Sequence, residues 1–195
     1  MKPILYEEHR DFLDEEYFKH LYNIIKEPCN HFQWSFQENV AFKGNDDQDG
    51  FYFIHPVFEQ NDAQSNFHNE LQGVYNALGV RALLRTRVIM YVNQGKQIIH
   101  APHVDYQYSH KAALLYLNTN NGYTLMADED CEIRASQDLE NLEFFRDDTK
   151  DSPFKHQFKS MSERNKCTIH NGSRPHCSST CTDAKSRILI AINYF

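Results

Sequence analysis

Apolar residues recur at Tyr17, Phe18, Leu21, Ile24 and Ile25, the spacing of one helix face. Asp14 stands where an N-cap belongs, so the pattern predicts a helix over Asp14–Lys26. Trp34–Phe42 reads as extended and Gly44-Asn45-Asp46-Asp47 as a turn. A second amphipathic helix is predicted over Asn66–Leu78, ended by Gly79. From Leu83 the character changes. Thr86–Val92 is rich in β-formers, Ala112–Leu117 is a short apolar run, and Tyr123–Met126 with Cys131–Ala135 reads as a hairpin around Asp128-Glu129-Asp130. Lys166–His170 and Arg187–Phe195 complete the set. Several short strands after two helices predict an α+β chain whose β part is a double-sheet jelly roll. Patterning by itself leaves another β-sandwich open.

A chain of 195 residues suits one domain with a real core. The helical part is expected over about 1–82 and the β core over about 83–195. No internal repeat or Pro/Gly/Ser-rich linker divides it. An acidic insertion at about 137–159 interleaves Asp138, Glu140, Glu143, Asp147, Asp148 and Asp151 with Leu139, Leu142, Phe144 and Phe145. It reads as a solvated loop, with a substrate-contacting lid as the functional alternative. The net charge of −7 argues against nucleic acid and anionic membrane as partners. Cys29, Cys131, Cys167, Cys177 and Cys181 are odd in number and lack a small-domain framework, so they read as free thiols in a reducing compartment. With no apolar leader or spanning stretch, a cytoplasmic location is expected. Cys177 and Cys181 lack the second pair that a zinc site needs. Cys177, beside His176, is a candidate for oxidation sensitivity.

The chemistry concentrates in His103-Val104-Asp105, with His176 far downstream and Arg187 beyond it. On a strand, residues two apart share a face, so His103 and Asp105 can point at one ion. His176 follows the turn Asn171-Gly172-Ser173-Arg174-Pro175, which delivers it to the start of a strand. Two imidazoles and a carboxylate suit non-haem Fe(II) with open coordination positions. Any one His-x-Asp among eleven histidines is a weak signal. His100, His110 and His170 compete nearby, and His170 reads as a core histidine packed near the site. Alternation places Arg187, Leu189, Ala191 and Asn193 on one face and Ile188, Ile190 and Ile192 on the other. An arginine on the face with small and polar residues is placed to line a pocket. Arg81, Arg85 and Arg87 form the one basic cluster and are expected to pair with acids.

His103-Val104-Asp105, then HKAALLYLNTNNGYT from His110, then HCSSTCTDAKSRILIAINYF from His176, resemble the 2-oxoglutarate- and Fe(II)-dependent oxygenase superfamily. The nearer resemblance is to its prolyl-hydroxylase-like branch and to small oxygenases of marine bacteria and their phages. It covers roughly the second half of the chain. The resemblance implies a double-stranded β-helix (jelly-roll) core with the N-terminal helices packed on one sheet. It implies Fe(II) on His103, Asp105 and His176, with 2-oxoglutarate and O2 as co-substrates and ascorbate as a supporting reductant. Arg187 would pair with the distal carboxylate of 2-oxoglutarate, assisted by Tyr116, with Thr124 and Tyr91 lining the same pocket. The chain departs from the family at His170-Asn171-Gly172, where phenylalanine and aspartate usually precede the glycine, and at Asn121-Gly122-Tyr123, where a double glycine is usual.

The implied activity is hydroxylation of an unactivated C–H bond in a protein residue, proline among them, or in a small molecule. Two rivals stay open: a catalytically silent jelly-roll metal-binding or interaction module, and a cupin-like dioxygenase for which Arg187 is dispensable.

Overall fold

The computed structural model describes residues 6–27, 32–40, 50–127 and 157–195. In chain order its elements are β1 (Tyr6–His9), α1 (Glu15–Lys26), β2 (Ser35–Gln37), β3 (Tyr52–Glu59), β4 (Asp62–Ala63), α2 (Phe67–Glu70) and α3 (Gln72–Leu78). There follow β5 (Leu83–Val92), β6 (Lys111–Tyr116), β7 (Tyr123–Ala127), β8 (Gln157–Met161), β9 (Cys167–Asn171), β10 (His176–Ser178) and β11 (Ser186–Tyr194). The large sheet runs β1-β9-β6-β11-β5-β3-β2 with β4 on β3, and the small one runs β10-β7-β8. Every pairing is antiparallel.

Alternation along β11 decides the two faces of the large sheet. Ile188, Ile190 and Ile192 bury against Phe18, Leu21 and Ile25 of α1 and Val74, Tyr75 and Leu78 of α3. The opposite face carries Leu189 with Tyr52, Ile54, Tyr91 and Tyr116. The helices therefore cover one side of the sheet and leave the other to the site, as the family resemblance implies.

Helix α1 is capped by Asp14, whose carboxylate accepts hydrogen bonds from the Glu16 and Tyr17 amides at 2.9 and 3.3 Å. The second predicted helix is broken in two at Leu71. The Tyr17 hydroxyl donates to the Glu70 carbonyl at 2.6 Å, taking an acceptor that a continuous helix would use. Gly79 closes α3 at φ 66°, as its type permits.

Strand β3 is not announced by the hydrophobic pattern. Pro56 sits within it, and the register with β5 shifts between Pro56 and Phe58, the kind of irregularity at which a strand tolerates proline. The hairpin expected at Tyr123–Ala135 has its second strand, Cys131–Ala135, outside the described residues. Among those described, β7 is central, with β10 and β8 on its two edges. Most of the acidic insertion and the turn at Gly44–Asp47 also lie outside them. The insertion's end, Gln157–Lys159, belongs to β8.

Candidate active site

The two sheets enclose a cavity of about 330 Å³ whose lining includes His103, Asp105, His176, Thr124 and Tyr91. Its floor is the inner face of the large sheet. Cross-strand register sets Tyr91 beside Arg187, Ile89 beside Leu189, Arg87 beside Ala191 and Arg85 beside Asn193.

His103 and Asp105 are not on a regular strand, contrary to the strand expected for them. Pro102 has no amide hydrogen to give to a ladder, and His103 makes a single bridge to His176. Their amides and carbonyls exchange bonds of 3.0 and 2.9 Å. The Asp105 amide donates to the Gly172 carbonyl at 3.1 Å, hooking this segment to the turn before His176. That turn is made by Asn171, whose side-chain oxygen accepts from the Ser173 amide at 3.0 Å and hydroxyl at 2.8 Å. His176 then opens β10, as the sequence predicts.

One ligand atom from each of His103, Asp105 and His176 lies within 4.8 Å of the others. His176 Nδ1 lies 3.0 Å from the Arg174 carbonyl and His103 Nδ1 3.5 Å from that of Ala101. With Nδ1 protonated toward a carbonyl, each ring keeps its Nε2 lone pair for an ion. Burial lowers the pKa of His103 to about 4, so the ring is a neutral donor at pH 7. Burial raises the Asp105 carboxyl, but His176, the Arg85 guanidinium and His103 together outweigh it and hold it well below the usual carboxylate range. Two imidazoles and one carboxylate fit a divalent ion such as Fe(II). Among the described residues no cysteine joins them: Cys167, Cys177 and Cys181 are free and buried. Burial pushes the Cys177 thiol up to about 12, which removes the oxidation sensitivity expected of it. Cys29 and Cys131 are outside the described residues.

Arg187 is fully buried. Its Nη1 donates to the Ser179 carbonyl at 3.0 Å and its Nη2 to Thr124 Oγ1 at 2.7 Å. The guanidinium lies over the rings of Tyr91 at 5.6 Å and Tyr116 at 5.4 Å. Tyr116 donates to Thr124 Oγ1 at 3.4 Å, and Ser178 Oγ donates to the Tyr91 hydroxyl at 2.8 Å. Arg187, Tyr116, Thr124 and Tyr91 thus form one cluster. Arg187 Nε is buried without a partner, and no carboxylate among the described residues pairs with this guanidinium. A buried cation without a counter-charge is costly. A dicarboxylate that also reaches the metal ligands removes that cost, so these residues fit 2-oxoglutarate. Gly122 makes the room: a Cβ there would stand 2.6 Å from Arg187 Cδ.

The surroundings hold what the motifs do not show. Asp105 Oδ1 receives a short ion pair from Arg85, while Oδ2 accepts from Asn193 Nδ2 at 2.8 Å and faces His176 Nε2 at 3.7 Å. Arg87 pairs with Glu59. Arg85 and Arg87 do pair with acids, as expected; Arg81 lies before β5. That the partner of Arg85 is a candidate metal ligand was not expected. The parity of β5 carries the signal, because Arg85, Arg87 and Ile89 share the face of Tyr91. His170 packs edge-on to His176 with centroids 5.0 Å apart. His100 stacks on Tyr91 at 4.9 Å, and His110 Nε2 lies 3.2 Å from Asn193 Nδ2.

No protein-family model matches the chain, and no curated protein matches its sequence. Solved structures do match in fold. An oxidoreductase of the 2OG-Fe(II) oxygenase family from Burkholderia pseudomallei superposes with a TM-score of 0.64 at 9% identity, covering 97% of this chain and 84% of its own. A prolyl hydroxylase from Trichoplax adhaerens, solved with a hypoxia-inducible-factor peptide fragment, gives 0.62 at 12% identity over 97% and 83%. The non-haem α-ketoglutarate-dependent epimerase SnoN of nogalamycin biosynthesis gives 0.60 at 13% identity over 97% and 78%. Among the described residues, no helix is long and apolar enough to cross a membrane. The chain has the double-stranded β-helix fold of the 2-oxoglutarate- and Fe(II)-dependent oxygenases, with a His-Asp-His cluster assembled in its pocket.

Proposed function

We propose that this chain is an Fe(II)- and 2-oxoglutarate-dependent dioxygenase. It hydroxylates an unactivated C–H bond of a protein residue or a small molecule, converting 2-oxoglutarate and O2 to succinate and CO2. One oxygen atom goes to the substrate and one to succinate. The observation that carries this reading is Arg187, a buried guanidinium with no carboxylate partner among the described residues, packed against Thr124 and Tyr91, which line the same cavity as His103, Asp105 and His176.

His103, Asp105 and His176 hold the ion. Bound there, Fe(II) supplies the redox chemistry that couples O2 to decarboxylation and C–H oxidation. Arg187 binds the distal carboxylate of 2-oxoglutarate, held in place by Thr124 and Ser179. Tyr116 and Tyr91 wall that end with aromatic faces and exclude water. Arg85 and Asn193 fix the rotation of the Asp105 carboxylate, leaving Oδ2 toward His176. Protein and small-molecule substrates are both consistent with the range of fold neighbours, which includes a prolyl hydroxylase and an epimerase.

The test is calorimetric titration of 2-oxoglutarate into protein loaded anaerobically with Fe(II), and into metal-free protein. Binding is expected only with metal, and Arg187→Ala is expected to weaken it at least about tenfold, as loss of a charge-assisted pair implies. Equal metal-dependent binding by wild type and Arg187→Ala would remove Arg187 from the co-substrate site, and no binding by the wild type would favour a dioxygenase that has no use for 2-oxoglutarate.

A further inference from the structure

The cavity is cationic at the end away from Arg187. Arg85 and Arg87 lie on its floor, on the same face of β5 as Ile89 and Tyr91. Register places Arg85 beside Asn193 and Tyr91 beside Arg187. Arg85 and Tyr91, the lining residue beside Arg187, are therefore six positions apart on β5, on the order of 20 Å along the backbone. Between them the floor is apolar, with Ile89, Leu114, Leu189 and Ala191. Arg85 is held rigidly: Nη2 is on Asp105, Nε donates to Asn193 Oδ1 at 3.2 Å, and the guanidinium lies over the Tyr106 ring at 5.4 Å. Its Nη1 finds no acceptor among the described residues. Arg87, anchored to Glu59 through Nη2, keeps a buried Nε without a partner.

Charge accounting shows what this end lacks. Asp105 balances Arg85, and Glu59 balances Arg87. A divalent ion on His103, Asp105 and His176 adds two positive charges, and Arg187 adds a third. The two carboxylates of 2-oxoglutarate cancel two of these. One positive charge is left at the Arg85 end of a pocket whose guanidinium and carboxylate are only 19% and 12% exposed. An uncompensated charge in such a place is costly, and an anion brought by the substrate removes it. The cavity, about 330 Å³, is at the small end for ligand pockets. It must also admit the co-substrate.

We propose that the primary substrate is a small carboxylic acid with an aliphatic body, and that Arg85, with Arg87 beside it, receives its carboxylate. This rests on the assignment of 2-oxoglutarate to Arg187. The apolar floor takes the aliphatic chain, which brings a C–H bond toward the metal ligands while the carboxylate is held.

The experiment uses the full chain loaded with redox-silent Zn(II), so that nothing turns over. Calorimetry first measures 2-oxoglutarate binding, which tests the underlying assignment. The saturated complex is then titrated with valerate and, separately, with valeramide, probes of the same shape that differ in charge. Valerate is expected to bind at least about tenfold more tightly than valeramide. Arg85→Gln is expected to abolish that preference. Because Arg85 also touches Asp105, Arg87→Gln is a second variant that leaves Asp105 alone, and it is expected to reduce the preference severalfold with 2-oxoglutarate affinity unchanged. Equal affinities for the two probes, or binding of neither while 2-oxoglutarate binds normally, would overturn the carboxylate proposal alone. Failure of metal-dependent 2-oxoglutarate binding would overturn the assignment to Arg187 and the proposal with it.

Discussion

Gly122 shows how one missing methyl group keeps a cavity usable. A Cβ there would lie 2.6 Å from Arg187 Cδ and 3.1 Å from the Thr180 carbonyl. The backbone oxygen cannot yield cheaply, so the arginine must move. Gly122→Ala is expected to destabilise the fold by about 1–3 kcal/mol, the usual cost of overpacking. It should also weaken metal-dependent 2-oxoglutarate binding about tenfold or more, since a displaced guanidinium loses a charge-assisted contact. Thermal unfolding and calorimetry on the same sample separate the two effects. Unchanged 2-oxoglutarate affinity in a folded variant would mean that Arg187 does not touch the co-substrate. At this scale much of the site was legible. His103, Asp105 and His176 stand out from the other histidine and carboxylate positions because they open the first and last of three blocks that occur in order, with Tyr116 and Thr124 in the block between. The bond from Arg85 to Asp105 was hidden. It depends on a β5–β11 register and on an irregular segment after Pro102, neither of which local patterning specifies.

Helix α1 and strand β11 are the elements that aim the site, and both followed from periodicity. α1 repeats at helical spacing behind an Asp14 cap, and β11 alternates strictly, sending isoleucines to the helices and Arg187 to the pocket. Asp14→Ala is expected to cost about 1 kcal/mol, lowering Tm by roughly 2–4 °C in a domain of this size, with metal binding intact. A larger loss would mean that α1 holds the sheet more firmly than its cap alone accounts for. The elements that were not legible share one cause, namely contact with something distant in sequence. β3 runs through Pro56 because a register shift against β5 accommodates it. The helix over Asn66–Leu78 breaks because Tyr17, on another helix, takes the Glu70 carbonyl.

The whole molecule buries histidines in and around the cavity between its sheets, and its stability should report that. Burial keeps His100, His103 and His170 neutral, with pKa values pushed down to about 3, 4 and 3. In the unfolded chain they titrate near 6.5. Between those limits the unfolded state binds more protons, so acid favours unfolding. Metal-free protein is expected to lose stability as pH falls below about 6.5, by up to about 1.4 kcal/mol per pH unit for each histidine. Denaturant titrations at pH 7.5 and, for example, 5.5 would check the slope; a flat profile would place these rings in contact with water. A divalent ion present at about a hundredfold its Kd should add about 2.7 kcal/mol, reversed by a chelator.

The proposed function requires that these residues, brought together by two facing sheets, form a 2-oxoglutarate-consuming iron centre. The most direct measurement is succinate formed from 2-oxoglutarate when O2 is admitted to anaerobically Fe(II)-loaded protein, with His176→Ala and Arg187→Ala alongside. Slow succinate release is expected from the wild type even without its primary substrate, abolished in both variants. No succinate from wild-type protein that also shows no metal-dependent 2-oxoglutarate binding would contradict it, and would leave a jelly-roll binding module in its place.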